Sequence, residues 1–308
     1  MATSVQLSAG MPPQVDCTDD AHRLGEPIGD QHGSVTSDDG TSLFYRYWPA
    51  TEAWSGHVAI VLHGIGYHSG PYKVIADALN PRGIDVYALD ARGHGLSCGR
   101  RGYLGTPSQV AADVSSMVHL IKQQRPSADV FLLGDSMGCN YALNYTRHNG
   151  NSLAGLVLLA PAFYVDKSQL FRLQSLMEMP YLFLAHRKPV IDLVGERLQE
   201  STGDPEFATA RAADPLAYSR VSFGYILDVQ RLIWNWKQEI APRLRLPILM
   251  IKGGKDTVVS QEDCETFERL SASPDLRFHL YPEVRHTTLW DPQTPEILDQ
   301  VGNWILED

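Results

Sequence analysis

Two serines in this chain stand in the pattern Gly-x-Ser-x-Gly: Ser97 between Gly95 and Gly99, and Ser136 between Gly134 and Gly138. A serine hydroxyl attacks an acyl carbonyl when a base removes its proton and a carboxylate orients that base, so the chemistry on offer is acyl transfer. The pattern alone does not choose between the two serines, but their surroundings do. Ser136 follows the apolar run Val130 to Leu133 and precedes an amphipathic stretch with Cys139, Ala142, Leu143 and Tyr145. Strand, tight turn and helix in that order form a nucleophile elbow. Glycines beside the serine let the backbone fold back sharply, and the hydroxyl then lies at the positive end of a helix dipole. Ser97 is preceded by DARGH and followed by RRGYLGTP, and it reads as an ordinary serine in a glycine-rich turn. Ser136 is the candidate nucleophile.

Its partners follow from chain order and placement. Elbow sequences of this kind run serine, then Asp or Glu, then histidine, and the loops at the carboxyl ends of parallel strands converge on one edge. Beyond residue 200 the histidines are His279, inside the alternating segment RFHLY, and His286, in the following loop PEVRHTT. His286 is the candidate base and His279 an ordinary strand residue. The candidate acid is Asp256, in the loop closing PILMIKGGKD. Glu262 and Asp263 fall in the next helix, where carboxylates serve as cap or dipole partners, and Asp214 lies in an inserted segment. A tetrahedral oxyanion needs two fixed donors. The Met137 N–H supplies one, and His63-Gly64-Ile65-Gly66 the other, through the Ile65 N–H. His63 precedes the serine in the chain and is read as a structural hydrogen-bonding residue.

The elements that must position these residues alternate. Residues 1–32 are polar and aperiodic and read as a loosely held extension. Asp39-Gly40 marks an edge hairpin. Strands are expected at His57–Leu62, Ile84–Leu89, Leu153–Leu159, Pro247–Ile251 and Leu276–Tyr281, with a helix at Pro71–Leu79. Thr106-Pro107-Ser108-Gln109 combines an N-cap, a first-turn proline and a capping-box glutamine. Beyond it Val110, Val114, Met117, Val118 and Ile121 share one helical face. Another helix starts at Ser260, and a closing one gathers Ile297, Leu298, Val301, Trp304 and Ile305. This is an α/β fold, a mostly parallel sheet flanked by helices. Residues 33–163 and 242–308 form its two parts. Residues 164–241 contain no evident strand and are rich in Leu, Met and aromatic residues, so they read as a helical lid inserted into the core.

Composition limits the partners. A net charge of −10 on 308 residues argues against nucleic acid as a partner. With 44% hydrophobic and 20% charged residues the chain is ordinary for a globular protein. The N-terminal MATSVQLSAGMPPQ has neither a basic nor an apolar leader region, and the four cysteines show no paired spacing. The expectation is a cytoplasmic chain with reduced thiols. Gly64-Ile65-Gly66 and Gly93-His94-Gly95 lack the third glycine of a dinucleotide fingerprint, and no metal motif occurs, so no cofactor is implied.

Together, His63–Gly66 with His68-Ser69-Gly70, Asp90–Gly95 with Ser97, Gly134–Gly138, Asp214-Pro215-Leu216, Gly254-Lys255-Asp256 and His286 resemble the α/β-hydrolases of the monoglyceride lipase and lysophospholipase group, which includes serine aminopeptidase S33-like members. The resemblance runs from about residue 40 to the C-terminus. It implies Ser136, Asp256 and His286 as a triad, the Ile65 and Met137 amides as oxyanion hole, and a lid over an acyl tunnel. Tyr67, Phe163, Tyr181, Leu184 and Val259 are candidate substrate contacts, and the lid could touch a lipid surface transiently. The chain departs from the group's pattern at Tyr67, where glutamate is common, at Asp135, where histidine is common, and at Cys139, where glycine is common. An inward-pointing Asp135 would disfavour anionic substrates. The expected function is hydrolysis of uncharged small-molecule acyl esters, monoacylglycerols foremost. The alternatives are a general esterase for short or aromatic esters, a lysophospholipase, and a non-catalytic ligand-binding hydrolase fold.

Overall fold

Unbroken apolar runs become the strands that are covered on both faces. The computed structural model describes residues 31–163, 189–192 and 201–307. In chain order it holds β1 (Gln31–Thr36), β2 (Ser42–Trp48), β3 (His57–Leu62), α1 (Lys73–Leu79), β4 (Asp85–Leu89), α2 (Pro107–Gln124), β5 (Asp129–Asp135), α3 (Met137–Asn149) and β6 (Gly155–Leu159). An insertion follows, with β7 (Pro189–Asp192), α4 (Pro205–Ala213), β8 (Arg220–Ser222) and α5 (Phe223–Leu232). The alternation resumes with β9 (Ile248–Gly253), α6 (Gln261–Leu270), β10 (Leu276–Tyr281) and α7 (Thr294–Leu306).

Eight strands form one sheet in the order β1-β2-β4-β3-β5-β6-β9-β10. The β1–β2 hairpin is antiparallel and pairs antiparallel to β4, whereas all pairings from β4 to β10 are parallel. Every residue of β3 and β4 is buried, as apolar runs between two helical layers require. The helix starts follow their sequence signals. Thr106 and Gln109 close a reciprocal capping box on α2, and the Ser260 hydroxyl accepts the Asp263 N–H at the start of α6. Val110, Val114, Met117, Val118 and Ile121 are buried on the sheet side of α2, and Ile297, Leu298, Val301, Trp304 and Ile305 do the same on α7.

Among the described residues of the insertion, β7 and β8 depart from expectation: they pair as a small antiparallel sheet with an irregular register. Strands of four and three residues are too short to display the alternation by which a strand is read from sequence. The hairpin also begins at Gln31, so the expected extension overlaps it by two residues. Among the described residues no helix is long and apolar enough to cross a membrane.

Candidate active site

β5 ends at Asp135 and α3 begins at Met137, which leaves Ser136 alone to reverse the chain. It does so at φ 52°, ψ −110°, a left-handed conformation that a non-glycine residue adopts only when its surroundings enforce it. The flanking glycines are there for space. A Cβ at Gly134 would lie 2.5 Å from the Cys139 backbone, and one at Gly138 would lie 1.9 Å from the Leu62 carbonyl oxygen. The helix therefore starts hard against the carboxyl ends of β3 and β5.

Ser136, His286 and Asp256 come from three separate loops and meet at that edge. Ser136 Oγ lies 2.9 Å from His286 Nε2, and His286 Nδ1 lies 2.9 Å from Asp256 Oδ2. A carboxylate only accepts, so the proton of neutral His286 sits on Nδ1 and Nε2 is free to accept from the serine hydroxyl. Asp256 is in turn held by the Val258 and Val259 amides, which donate to its Oδ1 at 2.7 and 2.9 Å. Burial pushes the Asp256 carboxyl up, but the charge and hydrogen bond of His286, the Val259 amide and the nearby Lys252 outweigh it, and its pKa ends below the ordinary value. His279 lies within β10, Glu262 and Asp263 in the first turn of α6, Ser97 in the loop between β4 and α2, and Asp214 just past the end of α4.

Met137 opens α3, so its N–H belongs to the first turn and has no intrahelical acceptor. The other amide of interest, Ile65, shares a peptide plane with the Gly64 carbonyl, and His63 grips that plane. Its Nδ1 donates to the Gly64 oxygen at 2.8 Å, while its Nε2 accepts the Ala91 N–H at 3.0 Å. Burial keeps His63 neutral, with its pKa down to about 4, so the tautomer this grip needs persists through neutral pH. From below, Tyr72 accepts the Gly64 N–H at 2.9 Å and donates to Asp135 Oδ2 at 2.5 Å. The Asp135 carboxyl is thus turned beneath the loop and engaged by a phenol. Its burial raises its pKa.

The remaining candidates are placed less simply. Tyr67, Phe163 and Val259 are only 3%, 1% and 5% exposed, and their side chains pack within the two core clusters. Tyr67 meets Tyr72, Phe207 and Trp290 edge-on, Phe163 stacks on Trp236 and Phe267, and Val259 acts through its amide. Tyr181 and Leu184 lie outside the described residues.

Sequence reasoning missed three neighbours of the site: Tyr72, Arg211 and Lys252. Lys252 is fully buried in β9 and donates to the Gly253 carbonyl at 2.7 Å, with the Asp256 carbonyl at 3.4 Å. A lone lysine in ILMIKG was its only signal. Among the described residues no group of three His, Cys, Asp or Glu is arranged to hold a metal, and Cys98, Cys139 and Cys264 are buried and not joined in a disulfide.

A parallel sheet carrying a strand–serine–helix turn, with a histidine and an aspartate on later loops of the same edge, defines the α/β-hydrolase class. The chain matches the Hydrolase_4 family, serine aminopeptidase S33, over residues 55–293 and belongs to it. It is 27% identical over 268 residues to a monoacylglycerol lipase of Mycolicibacterium smegmatis, covering 87% of this chain and 94% of that one. It is 28% identical over 279 residues to human monoglyceride lipase, covering 87% and 86%. In fold it is similar to a soluble variant of monoglyceride lipase from Saccharomyces cerevisiae solved with a substrate analogue. That match has a TM-score of 0.74 at 21% identity and covers 90% of this chain and 94% of that one.

Proposed function

We propose that the protein is a serine carboxylester hydrolase that cleaves monoacylglycerols through an acyl-enzyme. The observation that carries the chemistry is the unbroken hydrogen-bonded chain Ser136–His286–Asp256 at the carboxyl edge of the sheet. Neutral His286 takes the Ser136 proton at Nε2 as Oγ bonds to the acyl carbon. Asp256 stabilises the resulting imidazolium through Nδ1–H. The negative charge on the former carbonyl oxygen is received by the Met137 and Ile65 amides, which cost no reorganisation because both are fixed beforehand. The imidazolium then gives its proton to the departing glycerol oxygen. A water enters, loses a proton to the same nitrogen and releases the fatty acid, and Ser136 regains its hydrogen.

Relatives named for monoacylglycerol hydrolysis match nearly the whole chain, and this favours a glycerol monoester over other esters. The 164–241 insertion would act as the lid over the acyl chain. A series of p-nitrophenyl esters of short, medium and long acyl chains, run beside monoacylglycerols and lysophospholipids, tests the reading. Turnover should be highest on monoacylglycerols and on medium or long chains, and Ser136→Ala should abolish it. A preference for short or aromatic esters would replace the substrate, and a preference for lysophospholipids the head group. No turnover with any of them would leave a binding protein.

A further inference from the structure

The peptide planes on the two sides of Ile65 are held by different parts of the molecule. The plane that carries its N–H is gripped from the core through His63 and the Gly64 carbonyl. The next plane is gripped from the insertion, where an Arg211 guanidinium nitrogen donates to the Ile65 carbonyl at 2.7 Å. One residue further on, the Tyr218 N–H donates to the Gly66 carbonyl at 2.8 Å. Between these two, Asp214 accepts from His68 Nε2 at 2.7 Å, while His68 Nδ1 accepts the Gly70 N–H. The approach is close enough to demand glycine. Gly66 sits at φ +64°, and a Cβ there would be 1.9 Å from the Tyr218 carbonyl oxygen. Arg211 is held in its turn by the Tyr67 ring, 4.5 Å below its guanidinium carbon, which gives a role to the tyrosine that stands where the family commonly has glutamate.

The planar Gly64–Ile65 peptide sets the Ile65 N–H opposite the Gly64 carbonyl, and the hold on the following plane limits the rotations about the Ile65 backbone bonds that would let the first plane tilt. We infer that the Arg211–Tyr218 segment of the insertion is the outer half of a clamp on the oxyanion loop, with Arg211 and Asp214 as positioning residues and Tyr67 as the platform for Arg211. This inference rests on Ile65 serving as an oxyanion donor in the proposed reaction. It makes the insertion part of the catalytic geometry and not only a cover. Freeing the outer half leaves the substrate's path intact and lets the amide drift from its aim, and displacements of about 1 Å cost up to roughly 100-fold in rate.

The test pairs kinetics with hydrogen exchange on the full chain. In Arg211→Met, kcat should fall about 10- to 100-fold with KM within about threefold. The affinity of an alkyl boronic acid, whose serine adduct carries the same oxyanion, should fall in proportion. Arg211→Lys, which keeps a charged donor, should recover most of the loss. Amides of residues 63–70 should exchange faster in Arg211→Met while β5 stays protected. Asp214→Ala should repeat the pattern more weakly and substitutes for Arg211→Met if that variant does not fold. An unchanged kcat, or a loss confined to KM, overturns the inference. Should the wild-type chain hydrolyse no ester, the proposed function falls on its own, and loop exchange then decides the clamp: faster exchange supports it and unchanged exchange overturns it.

Discussion

The Gly95–Gly99 and Gly134–Gly138 segments share a five-residue pattern and put their serines to opposite use. In the first, the glycines take the unusual backbone, with Gly95 at φ +48° and Gly99 at φ +111°. Its serine is fully buried, donating to the Asp90 carbonyl and accepting the Phe44 N–H at 2.8 Å. In the second, the glycines make room for neighbouring backbone and the serine itself takes the strained conformation. Its hydroxyl faces an imidazole from a loop 150 residues further along the chain. Strain at Ser97 would serve nothing, because a turn hydroxyl with two backbone partners is already satisfied. Strain at Ser136 lifts the oxygen clear of the sheet.

The contrast breaks most sharply under alanine substitution. Ser136→Ala should lower kcat by roughly 10⁶, as removal of a triad serine does in serine proteases, measured on a p-nitrophenyl ester. Retained activity would transfer the role elsewhere. Asp256→Asn keeps the geometry but lets Nδ1 face a donor, and it should lower kcat by roughly 10⁴. The expected signature is a kcat loss at little changed thermal midpoint.

A smaller effect concerns stability and pH. Burial lowers the His63 pKa from 6.5 to about 4 and moves His94 in the same direction. Between those values the unfolded chain binds protons that the folded chain refuses, so stability is full above about pH 6.5 and falls as pH drops towards 4. For His63 alone the loss is on the order of 3 kcal/mol. Denaturant titrations across that range should show the slope, and His63→Asn, which does not titrate, should reduce it to the part that His94 contributes.

Smallest is the effect at the other serine. Ser97→Ala should leave kcat and KM within about threefold of wild type while costing about 1–3 kcal/mol, because the Phe44 amide and Asp90 carbonyl lose a buried partner. A kcat loss comparable to that of Ser136→Ala would erase the distinction between the two turns.

What was legible in the sequence follows the same line. Ser136, His286 and Asp256, which the structure brings within hydrogen-bonding distance, could be put forward together because each follows the end of a strand, and strand ends are marked by apolar runs giving way to glycine and polar residues. The capping box at Thr106 and the faces of α2 and α7 were equally plain, being local. Tyr72, Arg211 and Lys252 carry no motif, since their partners are backbone atoms or residues that only the folded chain brings near. The rings around Tyr67 and Phe163 were equally hidden, since Phe207, Trp290, Trp236 and Phe267 come from distant parts of the chain. Among the described residues, β7 and β8 departed from the expected organisation of the insertion, and strands that short have no periodicity to read.

The most direct test of the central claim is to find where the chain becomes acylated. Incubation with a fluorophosphonate, followed by intact mass and peptide mapping, should give one adduct per chain, on the peptide containing Ser136 and none on that containing Ser97. An adduct on Ser97, or ester turnover that persists while Ser136 remains unmodified, would contradict the account.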